Sequence, residues 1–148
     1  MISMKKLNQE STRIFLRLLN KLGKENFVQL HGTDIKPLNV ELVEEEVTTI
    51  SKEKAKLYSV SHIMKQAGGV LRDPEMCFIV VDNRKDPADL NDVAVYPQLY
   101  RQDDIDLYEE CVVIDQGVIK SYKPLWQEGH YLFATQWLKD IKQKGFLR

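Results

Sequence analysis

Residues 57–82, LYSVSHIMKQAGGVLRDPEMCFIVVD, decide the fold. LYSVSHIM is rich in aromatic and β-branched residues, and EMCFIVVD, from Glu75 to Asp82, is the clearest strand in the chain. We predict two antiparallel strands, near residues 56–65 and 75–82, joined by a loop that contains Gly68 and Gly69. Asp73-Pro74 is expected to begin the second strand, because proline needs no ladder partner at a strand's first residue.

A helix is predicted on each side of this region. STRIFLRLLNKLG, residues 11–23, places its apolar residues at three- and four-residue steps, with Ser11 as its cap and Gly23 just past its end. EGHYLFATQWLKDIKQKG, residues 128–145, repeats that pattern, with Phe133 and Trp137 widening its apolar face. Gly145 is expected to end this helix and to bring Phe146 back against Ile141.

Further strands are predicted between the two helices. They are NFVQLHG, LNVELVEEEV with a bulge or bend near Glu44, VAVYPQLYR, and a hairpin in DLYEECVVIDQGVIKSY that turns at Asp115–Gly117. SKEKAK, residues 51–56, has a charged and helix-like composition. The predicted fold class is α+β: an N-terminal helix, a five- to six-stranded, mostly antiparallel sheet, and a C-terminal helix packed on the sheet. We expect one domain over residues 1–148.

Composition indicates a globular protein. Hydrophobic residues make up 43% of the 148 residues and charged residues 29%, and the formal net charge is −1. No apolar run is long enough to span a membrane, and the first residues contain no secretory h-region, so we expect a cytoplasmic protein. Cys77 and Cys111 lie in apolar, strand-like runs, which predicts buried free thiols. A disulfide between them stays open at this point.

Motifs for catalysis and cofactor binding are absent from the sequence, so we predict no cofactor. Phosphate-binding glycine loops, HExxH, GxSxG and zinc-type cysteine and histidine spacings do not occur. The best candidate for a metal or acid–base site is His62 with Asp73 and Glu75, joined by Asp103 or Asp104. The competing interpretation gives these residues structural tasks in the hairpin.

Acidic residues concentrate in one part of the chain. Residues 82–110 contain nine acidic and three basic residues, a net formal charge of −6, whereas both ends of the chain are basic. If RQDDIDLYEE, residues 101–110, is extended, it presents alternate side chains on its two sides. Such a surface is either an ordinary solvated face or a docking surface for a basic partner, whose approach its charge would steer. The candidate partner-binding residues are Asp103, Asp104, Asp106, Glu109 and Glu110. The aromatic residues of the second half raise an alternative, base stacking, although basic residues are not interleaved with them.

Three segments together resemble an uncharacterised domain family of unknown function carried by bacterial plasmids, conjugative elements and phages. They are VSHIMKQAGGVLRDPEMCFIV, VYPQLYRQDDIDLYEE and FATQWLKDIKQKGF, so that the resemblance covers about residues 60–147. The matching positions are His62, Gly68, Asp73, Pro74, Glu75, Met76, Phe78, Pro97, Gln102, Asp103, Tyr108, Glu109, Trp137, Leu138, Gly145 and Phe146. The resemblance implies a genetic context rather than a reaction. Small proteins of mobile elements with acidic surfaces often inhibit restriction or RNA-guided nucleases, whose channels are basic.

The sequence therefore favours a non-enzymatic, protein-binding regulator of a bacterial mobile element. It would inhibit a host defence nuclease in the manner of an anti-CRISPR protein, through its acidic surface. The expected partner is a basic host protein that processes nucleic acid, and direct binding of nucleic acid is not expected. One alternative is a small metal-dependent hydrolase or nuclease that uses His62, Asp73 and Glu75. Another is a module that binds single-stranded nucleic acid.

Overall fold

The computed structural model describes residues 3–33 and 36–148. It confirms the α+β class, with a helix near each end of the chain and a sheet of eight strands rather than five or six. The elements are α1 (Gln9–Leu22), β1 (Phe27–Leu30), β2 (Leu38–Thr48), β3 (Lys54–Gln66), β4 (Gly69–Asp82), β5 (Val93–Gln102), β6 (Leu107–Glu110), β7 (Val112–Asp115), β8 (Val118–Tyr122) and α2 (Pro124–Gln143). Within the described ranges, neither helix is long and apolar enough to cross a membrane.

The sheet has the strand order β6-β5-β4-β3-β2-β8-β7, with β1 paired to β2. All pairs are antiparallel except the short contact of β2 with β8. Cys111 alone separates β6 from β7, and its N–H donates to the Gln98 carbonyl of β5. The two ends of the strand order are therefore consecutive in the chain. The β7–β8 hairpin folds back over one face of the curled sheet.

The β3–β4 hairpin differs from the prediction at its second strand. β4 begins at Gly69, directly after a tight turn, so the strand is six residues longer than expected. Asp73-Pro74, a cis peptide bond, lies inside the strand and does not start it. Ser61 pairs with Glu75 and Ile63 pairs with Arg72, so two residues of β4 oppose His62. This bulge explains the tolerance of proline, because the extra residue needs no ladder hydrogen bond.

Two other local predictions are corrected. Residues 54–56 belong to β3, because Lys54 and Ala55 pair with β2 and Lys56 pairs with β4, and this pairing overrides their helix-like composition. The N-cap of α1 is Asn8, whose side chain accepts from the Ser11 N–H, rather than Ser11 itself. The expected irregularity of β2 is confirmed as register shifts on both sides of Glu44.

Both helices pack on the same face of the sheet. Phe15 of α1 and Phe78 of β4 are fully buried, and their ring centroids lie 4.8 Å apart. At the other end of the layer, the Phe146 N–H donates to the Ile141 carbonyl past Gly145, as predicted for the end of α2. This layer and the sheet beneath it form the main core.

A second core lies between the sheet and the β7–β8 hairpin. Cys77, Ile79 and Leu57 of the main strands meet Val112 and Ile119 of the hairpin there. Both cysteines are confirmed as buried free thiols. Burial raises the pKa of Cys77 and of Cys111 to about 12, so neither thiol is ionised at neutral pH.

Replacement of Phe78 by alanine tests the central position of the hairpin. Phe78→Ala removes a fully buried ring from the contact with α1 and is expected to lower the free energy of unfolding by about 3–5 kcal/mol. Urea unfolding followed by circular dichroism measures the change. Phe27→Ala is the matched control, because half of that ring is already exposed. An equal decrease in the free energy of unfolding for the two variants would contradict this description of the core.

Candidate functional site

His62 lies on the helix-covered face of the sheet and is buried. Its ring packs against Trp137 and Phe146, with centroid distances of 5.9 and 5.4 Å. Its Nδ1 lies 3.2 Å from the Pro37 carbonyl oxygen. Asp73 shares a small cleft of about 200 Å³ with His62 and forms an ion pair with Lys36. These contacts give His62 a packing role between the sheet and the C-terminal end of the chain.

Glu75 lies on the opposite face of the sheet. Its carboxylate accepts a 2.5 Å hydrogen bond from Ser59 and lies within 4.0 Å of the guanidinium groups of Arg72 and Arg101. The cause is the alternation of side chains: Glu75 pairs with Ser61, whereas His62 points the other way. The predicted trio of His62, Asp73 and Glu75 therefore does not converge. Within the described residues, no cluster of three or more histidine, cysteine, aspartate or glutamate side chains is placed to hold a metal ion.

The acidic segment is not extended throughout. Residues 103–105 form one 3-10 turn, and Asp106 follows in the left-handed region with φ of 54°. The turn falls between the strand predicted to end at Arg101 and the hairpin predicted to begin at Asp106, so the alternation that an extended segment would show is absent at its centre. Left-handed backbone is tolerated by aspartate, whose short side chain hydrogen-bonds locally. We call residues 103–106 the acidic turn.

Asp103 holds the acidic turn to the sheet. Its two carboxylate oxygens accept from the Arg101 guanidinium at 2.6 Å and from the Arg72 backbone N–H at 2.8 Å. Burial alone would raise the pKa of Asp103, but these donors and the positive charge of Arg101 outweigh burial and lower it. Asp103 is thus a structural anchor rather than a contact surface.

The other acidic candidates separate from one another. Asp104 and Asp106 project from the acidic turn and are exposed, with Ile105 between them. Glu109 turns to the helix side of β6 and bonds His130 at 2.9 Å. Glu110 turns to the other side, into the groove that Cys77 lines. Only Asp104 and Asp106, among the five candidates, lie together on an open surface of the described structure.

The acidic residues of the preceding loop lie elsewhere. Asp86, Asp89 and Asp92 come before β5, and the acidic turn follows it. Ten extended residues separate the ends of β5 by about 30 Å. The net charge of −6 over residues 82–110 is consequently distributed over two ends of the sheet and does not form one patch.

A groove of about 320 Å³ lies between α2 and the edge strand β6, close to the acidic turn. Trp126, Gly129 and Phe133 form its helix side, and Tyr100 and Leu107 form its sheet side. Below it, His130 stacks on Tyr100 and bonds Glu109. Sequence reasoning placed Phe133 on the buried face of the helix, whereas about a third of this residue is exposed. The glycine in mid-helix was the signal that could have revealed this opening.

A larger cavity of about 560 Å³ lies beside α1, over the bend of β2. Burial, together with the charges of Asp82 and Glu45, raises the pKa of Tyr58 there, so the hydroxyl stays protonated. Asp82 is itself held by two hydrogen bonds from the Arg84 side chain. The cavity mixes both charge signs and assembles no nucleophile with a base.

Three basic side chains form a row on α1. Arg13, Arg17 and Lys21 recur at four-residue steps on the exposed side of this helix. The Lys21 ammonium also donates to the Arg148 backbone carbonyl at 2.9 Å, so the end of the row lies near the last residue of the chain. We call this row the basic face.

These features define an α+β protein with two helices on one side of a curled sheet. Its buried and half-buried polar side chains stabilise the fold through hydrogen bonds between strands and helices. The chain belongs to the family described as Domain of unknown function (DUF6908), whose model matches residues 13–147. The match begins within α1 and includes β1 and β2, which lie before the segment that carried the resemblance in the sequence. No curated protein and no solved structure matches the chain.

Asp103→Asn tests the anchoring of the acidic turn. Folding lowers the pKa of Asp103, so the ionised carboxylate stabilises the fold. This stabilisation is fully present above pH about 4, where Asp103 is ionised in the unfolded chain as well. That stabilisation is lost as the pH falls through the folded pKa. The variant is expected to lose about 1–3 kcal/mol of unfolding free energy at pH 7.

The difference in unfolding free energy between wild type and Asp103→Asn, measured by urea titration, should become smaller below pH about 4. Asp104→Asn, one residue away and exposed, serves as the control and should change stability little at either pH. A difference for Asp103→Asn that is independent of pH would show that the carboxylate charge does not carry the anchoring.

Proposed function

We propose that the protein is a non-enzymatic binding protein of a bacterial mobile element, a plasmid or phage, and acts in the cytoplasm. It would capture a basic host protein and inhibit a defence nuclease, as anti-CRISPR proteins do. The observation that supports this most is the acidic turn: two exposed carboxylates, Asp104 and Asp106, on a backbone held rigidly by Asp103.

A rigid and charged turn suits recognition of a basic surface. Two neighbouring negative charges steer a positive partner towards the turn and disfavour acidic partners. Since Asp103 already orders the turn, binding costs little additional conformational entropy. Ile105 and Tyr108, both more than half exposed, supply apolar contact area beside the charges. Nucleases present basic channels of this complementary sign.

The hydrolase alternative has less support from the geometry. His62 and Glu75 lie on opposite faces of the sheet, and His62 is enclosed by Trp137 and Phe146. Both thiols have a raised pKa and are buried, so neither is a ready nucleophile. No described group combines a nucleophile, a base and an open cavity.

The acidic turn is tested with the double variant Asp104→Asn/Asp106→Asn, which removes two charges while asparagine still accepts the left-handed backbone at 106. Asp86→Asn/Asp89→Asn removes the same charge from the other end of β5 and is the matched control. We expect tagged wild type and control to capture the same basic protein from a bacterial lysate at low salt. The turn variant should capture at least about tenfold less of that protein.

Moderate salt should weaken the same capture in wild type, because exposed charges are screened. A phage-challenge assay in cells that carry a defence nuclease supplies the functional measurement: wild type should restore plaques, and the turn variant should not. Capture that is indifferent to both double variants and to salt would reject the acidic-turn mechanism.

Nucleic-acid binding is a second candidate because the basic face presents three exposed cationic side chains along one helix. Arg13, Arg17 and Lys21 form a row that could follow a phosphate backbone. Arg13→Glu/Arg17→Glu should then abolish binding of labelled single-stranded DNA at low salt and flatten its salt dependence. The control is Lys52→Glu/Lys54→Glu, which makes the same charge change at the start of β3, away from the basic face on α1. Absence of binding by wild type at low salt would reject this candidate.

A further inference from the structure

The groove between α2 and β6 combines aromatic rings with one carboxylate. Tyr100, Trp126 and Phe133 contribute the rings, and Glu109 lies among the residues of its sheet side. The volume of about 320 Å³ is at the lower end of the range for ligand pockets, which is about 300–1,000 Å³. We call this opening the α2–β6 groove. Its size suits one long side chain or one small molecule.

Two local patterns bring the groove residues together. One side of α2 supplies the helix wall, through residues three, four and seven positions apart: Trp126, Gly129, His130 and Phe133. On the sheet side, Leu107 and Glu109 are two residues apart in β6 and therefore point to the same face. Glu109 pairs with Tyr100 of β5, which carries the wall onto the next strand. The groove is thus built on a helix and two paired strands.

Gly129 keeps the α2–β6 groove open. Glycine in the middle of a helix costs about 1 kcal/mol relative to alanine. A Cβ at position 129 would meet no described atom within 4 Å, so the packing of the described chain does not require this glycine. Because Gly129 lines the groove, its missing side chain leaves space there that a larger residue would fill. Glycine is typical of positions where a ligand approaches the backbone closely.

The charge near the α2–β6 groove is negative. With the imidazole of His130 neutral, Glu109 is the one charged side chain among the described residues that line the groove. One Glu109 oxygen is 2.9 Å from His130 Nε2, yet 29% of the Glu109 side chain is exposed. Asp104 and Asp106 of the acidic turn come directly before β6 and add to the negative potential. An aromatic groove at negative potential selects a cation.

The chain itself uses the Trp126 ring to hold a cation. The Lys123 ammonium lies 4.0 Å from the centre of that ring, well within the distance of about 6 Å for cation–π contacts. Lys123 is not among the residues that line the groove, so its ammonium lies outside it. Trp126 is 38% exposed, which leaves part of the indole open on the groove side.

We propose that the α2–β6 groove receives an arginine side chain of the basic partner. The proposal rests on the function proposed above and names the group that the partner contributes. The guanidinium lies against the aromatic rings and pairs with Glu109, while its aliphatic stem covers Leu107 and the exposed Leu125. A guanidinium stacks on rings, pairs with carboxylates in a plane and is more weakly hydrated than the ammonium of lysine. It therefore loses less hydration energy on entering an aromatic groove.

The α2–β6 groove and the acidic turn have complementary tasks in this account. The exposed charges of Asp104 and Asp106 act at a distance and accelerate the approach of a basic surface. A buried arginine anchor instead slows dissociation, and arginine, tryptophan and tyrosine are the residues enriched at interface hot spots. Leu107 lines the groove and directly follows Asp106, so one partner surface can contact both.

Nuclear magnetic resonance of the purified protein tests the groove without any partner. The probe is N-acetyl-arginine amide, and N-acetyl-citrulline amide is its uncharged control of nearly the same shape. The arginine probe should shift the indole N–H signal of Trp126 saturably, with half-saturation on the order of 10 mM for one cation–π contact and one ion pair. The citrulline probe should leave this signal in place. The buried Trp137 provides the reference signal, and Trp126→Phe assigns the two indoles.

Two variants remove the groove in different ways. Gly129→Leu fills it, and leucine favours a helix more than glycine does, so circular dichroism should show a folded protein. The shift of Trp126 by the arginine probe should then be lost. Glu109→Gln still offers a side-chain acceptor to His130 but removes the charge, and should weaken the titration at least about threefold. Leu132→Ala, exposed and outside the groove, is the control and should bind the probe as wild type does.

Capture from lysate separates this proposal from the proposed function. Gly129→Leu should capture at least about tenfold less of the basic protein than wild type or Leu132→Ala. No shift of Trp126 by the arginine probe, or a shift that persists in Gly129→Leu and Glu109→Gln, would overturn the proposal. Capture that depends on Asp104 and Asp106 but not on Gly129 would also overturn it and leave the proposed function standing. An arginine-specific shift without any captured protein would support the arginine site and reject the proposed function.

Discussion

The alternation of side chains along β4 is the constraint on which the rest of the structure depends. Met76, Phe78 and Val80 point to the helix layer, and Cys77, Ile79 and Val81 point to the curled face beneath the β7–β8 hairpin. A shift of one residue would exchange the two sets and empty both cores. The same alternation leaves Glu75 on the face of Cys77, and the alternation of β3 places His62 on the helix side with Val60. The bulge at Asp73-Pro74 changes the register only for the residues of β4 before Glu75.

Several carboxylates near the β3–β4 hairpin and β6 have structural tasks. Glu75 is held by Ser59 and two arginines, Asp103 ties the acidic turn to β4, and Glu109 bonds the buried His130. Buried or half-buried charges are stable only when they are paired in this way. Asp104 and Asp106 are left on an open surface beside exposed apolar side chains. This exposed pair is the observation on which the proposed recognition of a basic partner rests.

Local pattern predicted those parts of the fold that short-range physics controls. The β-branched run of Glu75–Asp82 lies within β4, Gly145 ends α2, and the turn at Gln116-Gly117 joins β7 to β8. The bulge at Pro74 and the separation of DLYEE into its own strand were missed, because both depend on pairing between segments distant in sequence. The anchoring of the acidic turn could not be predicted for a related reason: the Arg72 N–H that holds Asp103 lies 31 residues away. The exposure of Leu125 and Leu132 on α2 was not predicted, because a helical pattern alone cannot tell a face covered by the sheet from one left open.

Hydrogen exchange of the protein, free and bound to the target that it captures, tests the central claim most directly. If recognition occurs at the acidic turn, the target should slow exchange of backbone amides at residues 103–108 and leave the His62–Asp73 cleft unchanged. Protection confined to the cleft around His62, with the acidic turn still exchanging as in the free protein, would contradict the account. In that case the cleft that contains His62 and Asp73 would replace the acidic turn as the candidate site.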